Sequence, residues 1–251
     1  MSGSERRKVS AIILAAGKGK RMKSDMAKVL HPLCGKPMLA YSVDSARKLN
    51  VEKIVVVIGH QADLVRAAFK DEDLIFVEQP AQLGTGHAVL QARDVFRGYN
   101  GIILVLCGDV PLLSAATIRA LLEVHILEQS VVTVMTTILA DPSGYGRVIK
   151  ERGGAAISRI VEERDASSAE KYVKEINTGI YCVESSFLFD AVASIGNENV
   201  QREYYLTDIV GMASRKGLKT RSFINANSFE VMGINTPDDL EIASRLMTEC
   251  R

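Results

Sequence analysis

Three short apolar runs, each followed by a polar loop that contains glycine, most constrain how this chain can fold. The runs cover residues 9–14, 74–77 and 101–107. Segments with apolar residues at helical spacing separate them, and this alternation predicts a mostly parallel sheet covered on both faces by helices. In such sheets ligands bind beyond the carboxyl ends of the strands. We therefore expect the three loops to face one cleft.

The same reasoning predicts the other elements. Helices are expected over residues 38–49, 62–69, 84–96, 115–127, 185–193, 205–216 and 237–248. Further strands are expected over residues 53–59, 131–139, 175–183 and 220–224. A hairpin is expected to pair GYGRVIK with AAISRIVEE around Arg152-Gly153-Gly154. Ser114 and Thr236 are predicted N-caps, and Pro237 occupies the first position of the last helix.

Charge and composition narrow the classes of partner. The chain has 31 Lys and Arg against 30 Asp and Glu, so nothing favours a nucleic acid or an acidic membrane surface. No apolar run approaches the length of a membrane span, and the N-terminus has no signal-peptide pattern. The four cysteines form no C-x-x-C pair, which is typical of free thiols in a reducing compartment. A cytoplasmic protein is expected, with Cys107 as a small core residue.

The first loop combines small residues with positive charge. Residues 15–19 read AAGKG, and Lys20, Arg21, Lys23 and Lys28 follow. Small side chains let a phosphate approach the backbone, and cations hold its charge. The spacing matches neither G-x-x-x-x-G-K-[ST] nor G-x-G-x-x-G. The alternative is a tight turn followed by a solvated basic segment.

Asp109 follows the most apolar of the three runs. A carboxylate at that strand end can hold Mg²⁺ against substrate phosphates, because Mg²⁺ prefers a few protein oxygens together with water. The alternative is an ordinary turn residue before Pro111. The expected position in the cleft favours the metal role.

Glutamines flank the second loop. Gln79 and Gln82 precede Gly84-Thr85-Gly86. A Gln amide offers a donor and an acceptor, which suits a pyrimidine edge, but flipping the amide matches either uracil or cytosine. The alternative is a polar surface loop before a helix. His87 has no metal-ligand neighbours at suitable spacing and is expected to pack or cap.

Polar residues in the second half are less telling by themselves. Glu162, Glu163 and Asp165 would usually form a solvated acidic turn. Asn177 lies inside an apolar run, where Asn is disfavoured and needs a polar partner or a ligand. Asn235 precedes an ordinary helix cap. The four histidines lie in no nucleophile motif, so a Ser–His–Asp or Cys–His mechanism has little support.

Taken in series, the motifs are far more specific than any one of them. LAAGKGKRM, KVLHPLCGKPML, EQPAQLGTGHAV, GDVPLL, GYGRVI, IVEERDA, EINTGIY, EYYLTDIV and GIN occur in this order. The chain resembles, from about residue 10 to 235, the uridylyltransferase (pyrophosphorylase) domains of bacterial N-acetylglucosamine-1-phosphate uridylyltransferases, which are sugar-nucleotide nucleotidyltransferases. The resemblance implies a three-layer α/β, Rossmann-like nucleotide-diphospho-sugar transferase fold. It also implies a mostly parallel mixed sheet with one antiparallel strand, and dependence on Mg²⁺.

The resemblance implies roles at matching positions. Contacts to the nucleotide base and ribose fall on Leu14, Ala15, Ala16 and Gly17, and reading of the uracil falls on Gln79, Gly84 and Thr85. Contacts to the sugar and its acetamido group fall on Gly146, Glu162 and Asn177, with Tyr204, Tyr205 and Thr207 nearby. The catalytic cations are Arg21 and Lys28. The magnesium ligands are Asp109 and Asn235, and Asn235 also counts among the substrate-binding residues.

The implied reaction joins UTP and N-acetylglucosamine 1-phosphate to give UDP-N-acetylglucosamine and pyrophosphate. The sequence after Asn235, TPDDL, is similar to that of cytidylyltransferases. Transfer of uridylyl or cytidylyl to another sugar 1-phosphate is therefore an alternative. A catalytically silent, nucleotide-sugar-binding regulatory protein is an alternative of a different class. The intact Arg21, Lys28 and Asp109 count against the silent protein.

One nucleotidyltransferase domain is expected over residues 1–251. Its nucleotide-binding half covers about 9–130, its sugar-binding half about 131–235 and its last helix 236–251. The β-helical acetyltransferase domain with which bifunctional members continue has no counterpart here, and the final helix favours a stand-alone enzyme over a truncated one. The expected partners are small-molecule substrates, with no nucleic acid and no membrane. The sequence does not fix the oligomeric state.

Overall fold

The computed structural model describes residues 7–151 and 154–249. Its strands are β1 Val9–Ala15, β2 Pro32–Leu33, β3 Lys36–Pro37, β4 Ile54–Ile58, β5 Ile75–Glu78, β6 Ile102–Cys107, β7 Val132–Ile138, β8 Arg147–Lys150, β9 Ile157–Val161, β10 Glu175–Glu184 and β11 Thr220–Ile224. Its α-helices are α1 Met38–Arg47, α2 Ala62–Ala68, α3 Thr85–Leu90, α4 Ala115–Leu127, α5 Ser185–Ala193, α6 Asp208–Arg215 and α7 Pro237–Glu249.

The main sheet has the order β11-β7-β10-β6-β1-β4-β5. Neighbours along this order are parallel except where β10 pairs with β6 and with β7. The antiparallel hairpin β8–β9 joins the sheet through a short pairing of β8 with β10. The predicted fold, a mostly parallel mixed sheet with one antiparallel strand in its main order, is confirmed.

The central strands are apolar on both sides because helices cover both faces. Ile12 and Ile13 of β1 are both fully buried, yet they belong to two different apolar clusters on opposite faces of the sheet. Each such side chain contributes roughly 1.5–3 kcal/mol when it is buried. A third, smaller cluster joins α7 to the β2–β3 hairpin through Leu33, Ile234 and Ala243.

Two predicted helices differ from the structure. The helix expected over residues 84–96 ends as α3 at Leu90 and continues as a 3₁₀ turn, Arg93–Phe96. This tighter turn stacks Phe96 against Phe189, with ring centroids 5.7 Å apart. The helix expected over residues 205–216 begins only at Asp208. The backbone N–H of Leu206 donates instead to Thr85 Oγ1 at 3.0 Å, so it is committed to the second loop.

The predicted helix N-caps and the predicted hairpin are present in the structure. Ser114 Oγ accepts from Thr117 N at 3.1 Å, and Thr236 Oγ1 accepts from Asp239 N at 3.2 Å, so both predicted caps are confirmed. β8 and β9 form the predicted hairpin, although Arg152 and Gly153 of its turn lie outside the described residues.

The cysteines that the structure describes are free thiols. Cys182 is buried, Cys34 is exposed and Cys107 is half-buried. Cys107 is expected in the core, but at the end of β6 it also lines a cleft. Cys250 and Arg251 lie outside the described residues. None of the helices in the two described ranges has the length and apolar character needed to cross a membrane.

Candidate active site

The three loops meet at the carboxyl ends of β1, β5 and β6. They enclose a cleft of about 280 Å³. Its lining includes Leu14, Ala15, Ala16, Gly17, Lys28, Gln79, Gln82, Gly84, Thr85, Cys107, Asp109 and Glu203. Larger depressions exist elsewhere, including one of about 800 Å³ beside Arg7 and Tyr99, but the 280 Å³ cleft collects residues from all three loops.

The first loop is held close to its neighbours. The carbonyl of Leu14 accepts from Gly108 N at 2.9 Å, and the carbonyl of Ala16 accepts from His60 N at 3.3 Å. Ala15 and Ala16 are buried, whereas Gly17 is exposed with open space where a side chain would stand. The loop therefore presents a small, uncrowded surface to the cleft, as a bound phosphate or ribose requires.

Four residues predicted from distant motifs form one charged cluster. The Nζ atom of Lys28 pairs with the carboxylate of Asp109 and donates to Asn235 Oδ1 at 2.9 Å. The Nη2 atom of Arg21 donates to the same Oδ1 at 2.9 Å. Asn235 Nδ2 donates to the carbonyl of Gly233 at 3.1 Å, which fixes the amide so that its oxygen faces the two cations.

Two oxygen atoms of the cluster are of the kind that Mg²⁺ binds. The oxygens of Asp109 and Asn235 converge on one positive charge, the Lys28 ammonium. Hard oxygen ligands of this kind suit Mg²⁺, which takes its remaining ligands from water and substrate phosphates. No group of three or more His, Cys, Asp or Glu side chains in the described ranges could hold a metal by itself. Asp109 and Asn235 therefore fit a Mg²⁺ ion whose other ligands come from water and substrate phosphates.

The amide of Gln79 has a fixed orientation. Its Nε2 atom lies 3.0 Å from the carbonyl oxygen of Gly84 and 3.0 Å from His87 Nδ1. A carbonyl oxygen can only accept, so the amide nitrogen must face Gly84. The bond to Gly84 alone fixes the amide, and Oε1 remains as an acceptor. The ring of His87 packs between the amides of Gln79 and Gln91, in keeping with the expected packing role.

Gly84 is held where other residues would not fit. Its φ is +110°, and a Cβ atom there would lie 2.6 Å from the carbonyl oxygen of Tyr204. The neighbouring Gly86 N donates to that same oxygen at 2.8 Å, and Tyr204 N donates to the carbonyl of Leu83 at 2.8 Å. The segment around Tyr204 therefore fixes the second loop.

The three residues implied to bind a sugar lie together, although none of them lines the 280 Å³ cleft. Asn177 N donates to the carbonyl of Gly146 at 2.9 Å, and a Cβ at Gly146 would lie 3.4 Å from Glu162 Oε2. Glu162 accepts from Thr207 Oγ1 at 3.0 Å. It lines a neighbouring depression of about 330 Å³, which Tyr205 also lines. Burial raises the pKa of the Glu162 carboxyl above its ordinary value.

Asn177 has protein partners inside its strand. Its Oδ1 atom accepts from Gly179 N at 3.0 Å and from the Tyr181 hydroxyl at 2.9 Å. The pairing of β10 with β7 shifts register between Asn177 and Tyr181, which accommodates the polar side chain. The Asn in an apolar run is therefore explained without a ligand.

Sequence reasoning missed three residues at the site. Glu203 lines the cleft, and Asp239 bonds the backbone of Asn235. Tyr145 is the third. Burial raises the pKa of its hydroxyl, the carboxylate of Asp239 raises it further, and Arg21 opposes the rise, so Tyr145 lies within electrostatic reach of the charged cluster. Tyr145 and Glu203 each stand within quoted motifs, GYGRVI and EYYLTDIV, so position in those motifs was the available signal.

Comparison with known proteins shows the family to which the chain belongs. A family model described as MobA-like NTP transferase domain matches residues 11–168. The chain is 48% identical over 241 residues to "Bifunctional protein GlmU" of Geotalea daltonii, covering 96% of this chain and 52% of the relative. It is 50% identical over 238 residues to the protein of that name from Geobacter metallireducens, covering 94% and 50%. The chain thus spans about half the length of the curated relatives it matches.

A solved structure supports the fold. It is described as the crystal structure of UDP-glucose pyrophosphorylase complexed with UDP-glucose. It matches with a TM-score of 0.75 and 18% sequence identity, covering 97% of this chain and all of that one. The resemblance inferred from the motifs is confirmed by the relatives, and the fold class by this structure. The chain belongs to the family of MobA-like NTP transferase domains.

Proposed function

We propose that this chain transfers the uridylyl group of UTP to N-acetylglucosamine 1-phosphate, with Mg²⁺, giving UDP-N-acetylglucosamine and pyrophosphate. The observation that carries the proposal is the meeting of Lys28, Arg21, Asp109 and Asn235 beside the small-residue loop. Such a cluster suits two phosphate groups brought together. The similarity to proteins called GlmU over 94–96% of the chain supports the proposal.

The proposed step needs no general base. A phosphate monoester has a second pKa of about 6, so the sugar phosphate is mostly a dianion near neutrality. One of its oxygens forms a bond to the α-phosphorus of UTP, while the bond from that phosphorus to the bridging oxygen breaks and pyrophosphate leaves. The protein's task is to position two anions and to stabilise the charge that develops.

The charged cluster supplies that stabilisation. Lys28 and Arg21 would neutralise the triphosphate and the incoming phosphate. Asp109 and Asn235 would hold Mg²⁺, which when bound would neutralise further phosphate charge. When phosphates enter, the Lys28 ammonium can exchange its bonds to Asp109 and Asn235 for phosphate oxygens, which frees those two ligand oxygens.

The orientation of Gln79 supports UTP over CTP. Its free Oε1 is an acceptor, and uracil presents an N3–H donor where cytosine presents an acceptor nitrogen. The amide cannot flip to suit cytosine without breaking its 3.0 Å bond to Gly84. This observation favours uridylyl transfer over the cytidylyl alternative.

The sugar assignment rests on Gly146, Glu162 and Asn177. The Glu162 carboxylate suits sugar hydroxyls. Asn177 uses its side-chain oxygen on Gly179 and Tyr181, so its amide nitrogen remains to donate to a carbonyl such as that of an acetamido group.

The test is to incubate the protein with Mg²⁺, each of the four NTPs and a panel of sugar 1-phosphates, and to measure pyrophosphate. We expect most pyrophosphate from UTP with N-acetylglucosamine 1-phosphate, and its loss when EDTA removes the metal. Asp109→Ala is the matched inactive protein. Pyrophosphate from another pair would reassign the substrate, and none from any pair would support the silent binding protein.

A further inference from the structure

We infer that Asp239, in the first turn of α7, is a positioning residue that holds Asn235 in place to bind Mg²⁺ beside Asp109. The inference rests on the proposed function, because it assumes the metal role of Asn235. It concerns a residue to which neither the motifs nor the resemblance gives a role.

Asp239 makes one hydrogen bond more than a helix cap requires. Its backbone N donates to Thr236 Oγ1 at 3.2 Å, and its Oδ2 accepts from Thr236 N at 2.9 Å. These two bonds form the reciprocal arrangement of a capping box. The same Oδ2 also accepts from Asn235 N at 2.9 Å. Asn235 precedes the cap residue, so this third bond fixes the site residue and not only the helix.

The backbone on both sides of Asn235 is thereby tied to the site. Ile234 N donates to the carbonyl oxygen of Asp109 at 2.9 Å, which sets the spacing between the two proposed metal ligands. With Asn235 N held by Asp239 and its Nδ2 held by Gly233, the side-chain oxygen has one direction left, toward Lys28 and Arg21. Hydrogen bonds to an ionised carboxylate are stronger than neutral ones, which suits this orienting role.

α7 is a rigid support for this carboxylate. Ala243 is fully buried, and it packs in one cluster with Leu33 and Ile234. Because Ile234 directly precedes Asn235, the helix and the ligand share one packed unit. Partners that orient metal ligands in this way are typically worth 10- to 100-fold in metal affinity or activity.

Two neighbouring residues offer matched controls. Asp238 carries the same charge in the same first turn and is exposed, and its side chain makes no hydrogen bond or ion pair with the described residues. Thr236 accepts the capping bond from Asp239 N, but its hydroxyl does not touch Asn235. Thr236→Ala therefore weakens the helix cap alone, and Asp238→Ala removes a charge alone.

The experiment measures Mn²⁺ binding in the presence of UTP by electron paramagnetic resonance, with the melting temperature of each variant. Mn²⁺ shares the oxygen-ligand preference of Mg²⁺ and gives a signal without turnover. We expect Asp239→Ala to weaken Mn²⁺ binding about 10-fold. Thr236→Ala should lower the melting temperature with Mn²⁺ affinity unchanged, and Asp238→Ala should leave Mn²⁺ affinity unchanged.

Wild-type Mn²⁺ affinity in Asp239→Ala would overturn the inference, as would an equal loss in Thr236→Ala. If Asp239→Ala does not fold, Asp239→Leu keeps much of the side-chain volume but has no oxygen to accept from Asn235 N, and unchanged Mn²⁺ affinity in that variant would equally overturn the inference. The metal readout is independent of catalysis. Failure of the wild-type protein to form pyrophosphate would instead count against the proposed function.

Discussion

The Nζ atom of Lys28 lies 2.9 Å from the side-chain oxygen of Asn235, although 207 residues separate them in the sequence. The same ammonium pairs with the Asp109 carboxylate, so one cation lies between two oxygen ligands from different loops. This arrangement keeps the ligand oxygens satisfied before substrate arrives, since a half-buried carboxylate without a partner is costly. It also places Lys28 beside the proposed metal site, where phosphates would enter.

Replacing Lys28 should therefore impair turnover more than folding. We expect Lys28→Ala to lower the rate of pyrophosphate formation about 10²- to 10³-fold, the usual cost of removing one electrostatic stabiliser of a transition state. Steady-state kinetics with UTP and N-acetylglucosamine 1-phosphate measures this. Lys23→Ala is the control, because Lys23 is an exposed lysine of the same basic segment. Equal effects of the two substitutions would mean that the segment acts only through its overall charge.

Gln79 should determine the choice between UTP and CTP. Gln79→Ala removes the oriented acceptor, and a hydrogen bond of this kind contributes about 1–1.5 kcal/mol, which is roughly tenfold in selectivity. The measurement is the ratio of kcat/KM for UTP to that for CTP. Gln82→Ala is the matched control, since Gln82 lines the same cleft without the bonds to Gly84 and His87. If the ratio of kcat/KM for UTP to that for CTP were unchanged in Gln79→Ala, Gln79 would have no part in recognising the base.

The position of the cleft could be predicted from sequence because it follows from the strands alone. Loops after parallel strands of one sheet share an edge, and the pairings of β1 with β6, of β1 with β4 and of β4 with β5 bring the three loops there. The orientation of the Gln79 amide could not be predicted, because it depends on the carbonyl of Gly84 in the folded loop.

Side-chain hydrogen bonds account for two further features that the sequence pattern left open. The helix α6 is predicted to start at residue 205, but the backbone N–H of Leu206 donates to Thr85 Oγ1, 121 residues away in the sequence, and the helix starts later. Asn177 required a partner, and the Tyr181 hydroxyl four residues along the same strand supplies it. In each case a hydrogen bond to a side chain, which the apolar pattern does not reveal, decides the outcome.

Gly84→Ala should disrupt the second loop, which we propose to read the base. At φ +110° a Cβ atom would lie 2.6 Å and 2.8 Å from backbone atoms of Tyr204, so the loop or that segment must move. Gly98→Ala is the control, because φ is +73° there but nothing lies within 4 Å of its Cβ. We expect about 1–2 kcal/mol of destabilisation from backbone strain in Gly98→Ala. Gly84→Ala should lose more stability and also UTP affinity, measured by denaturant unfolding and calorimetry; equal stabilities with intact UTP binding would contradict this.

Glu162→Gln should stabilise the protein at neutral pH while weakening sugar binding. Burial raises the pKa of Glu162 in the fold above its ordinary value of 4.5, so the wild-type protein loses stability as pH rises from 4.5 through the raised pKa. Gln is neutral and can still accept from Thr207. Its melting temperature should exceed that of the wild type at pH 7.5, and the difference should vanish below pH 4. The KM for the sugar phosphate should rise in the same variant, which would show that Glu162 contributes to sugar binding at a cost in stability.

The adjacent Glu163 should behave in the opposite way. Its hydrogen bond and ion pair with Arg147, at 2.6 Å, lower the pKa of Glu163 below 4.5, and the Arg147 side chain is almost wholly buried. A lowered pKa contributes stability above the ordinary value, and that stability disappears as pH falls through the lowered one. Glu163→Gln leaves a buried guanidinium without its counter-charge, so its melting temperature should fall at pH 7.5 and approach the wild-type value in acid. If Glu162→Gln and Glu163→Gln changed the melting temperature in the same direction at pH 7.5, the opposite pKa shifts of the two carboxyls would be contradicted.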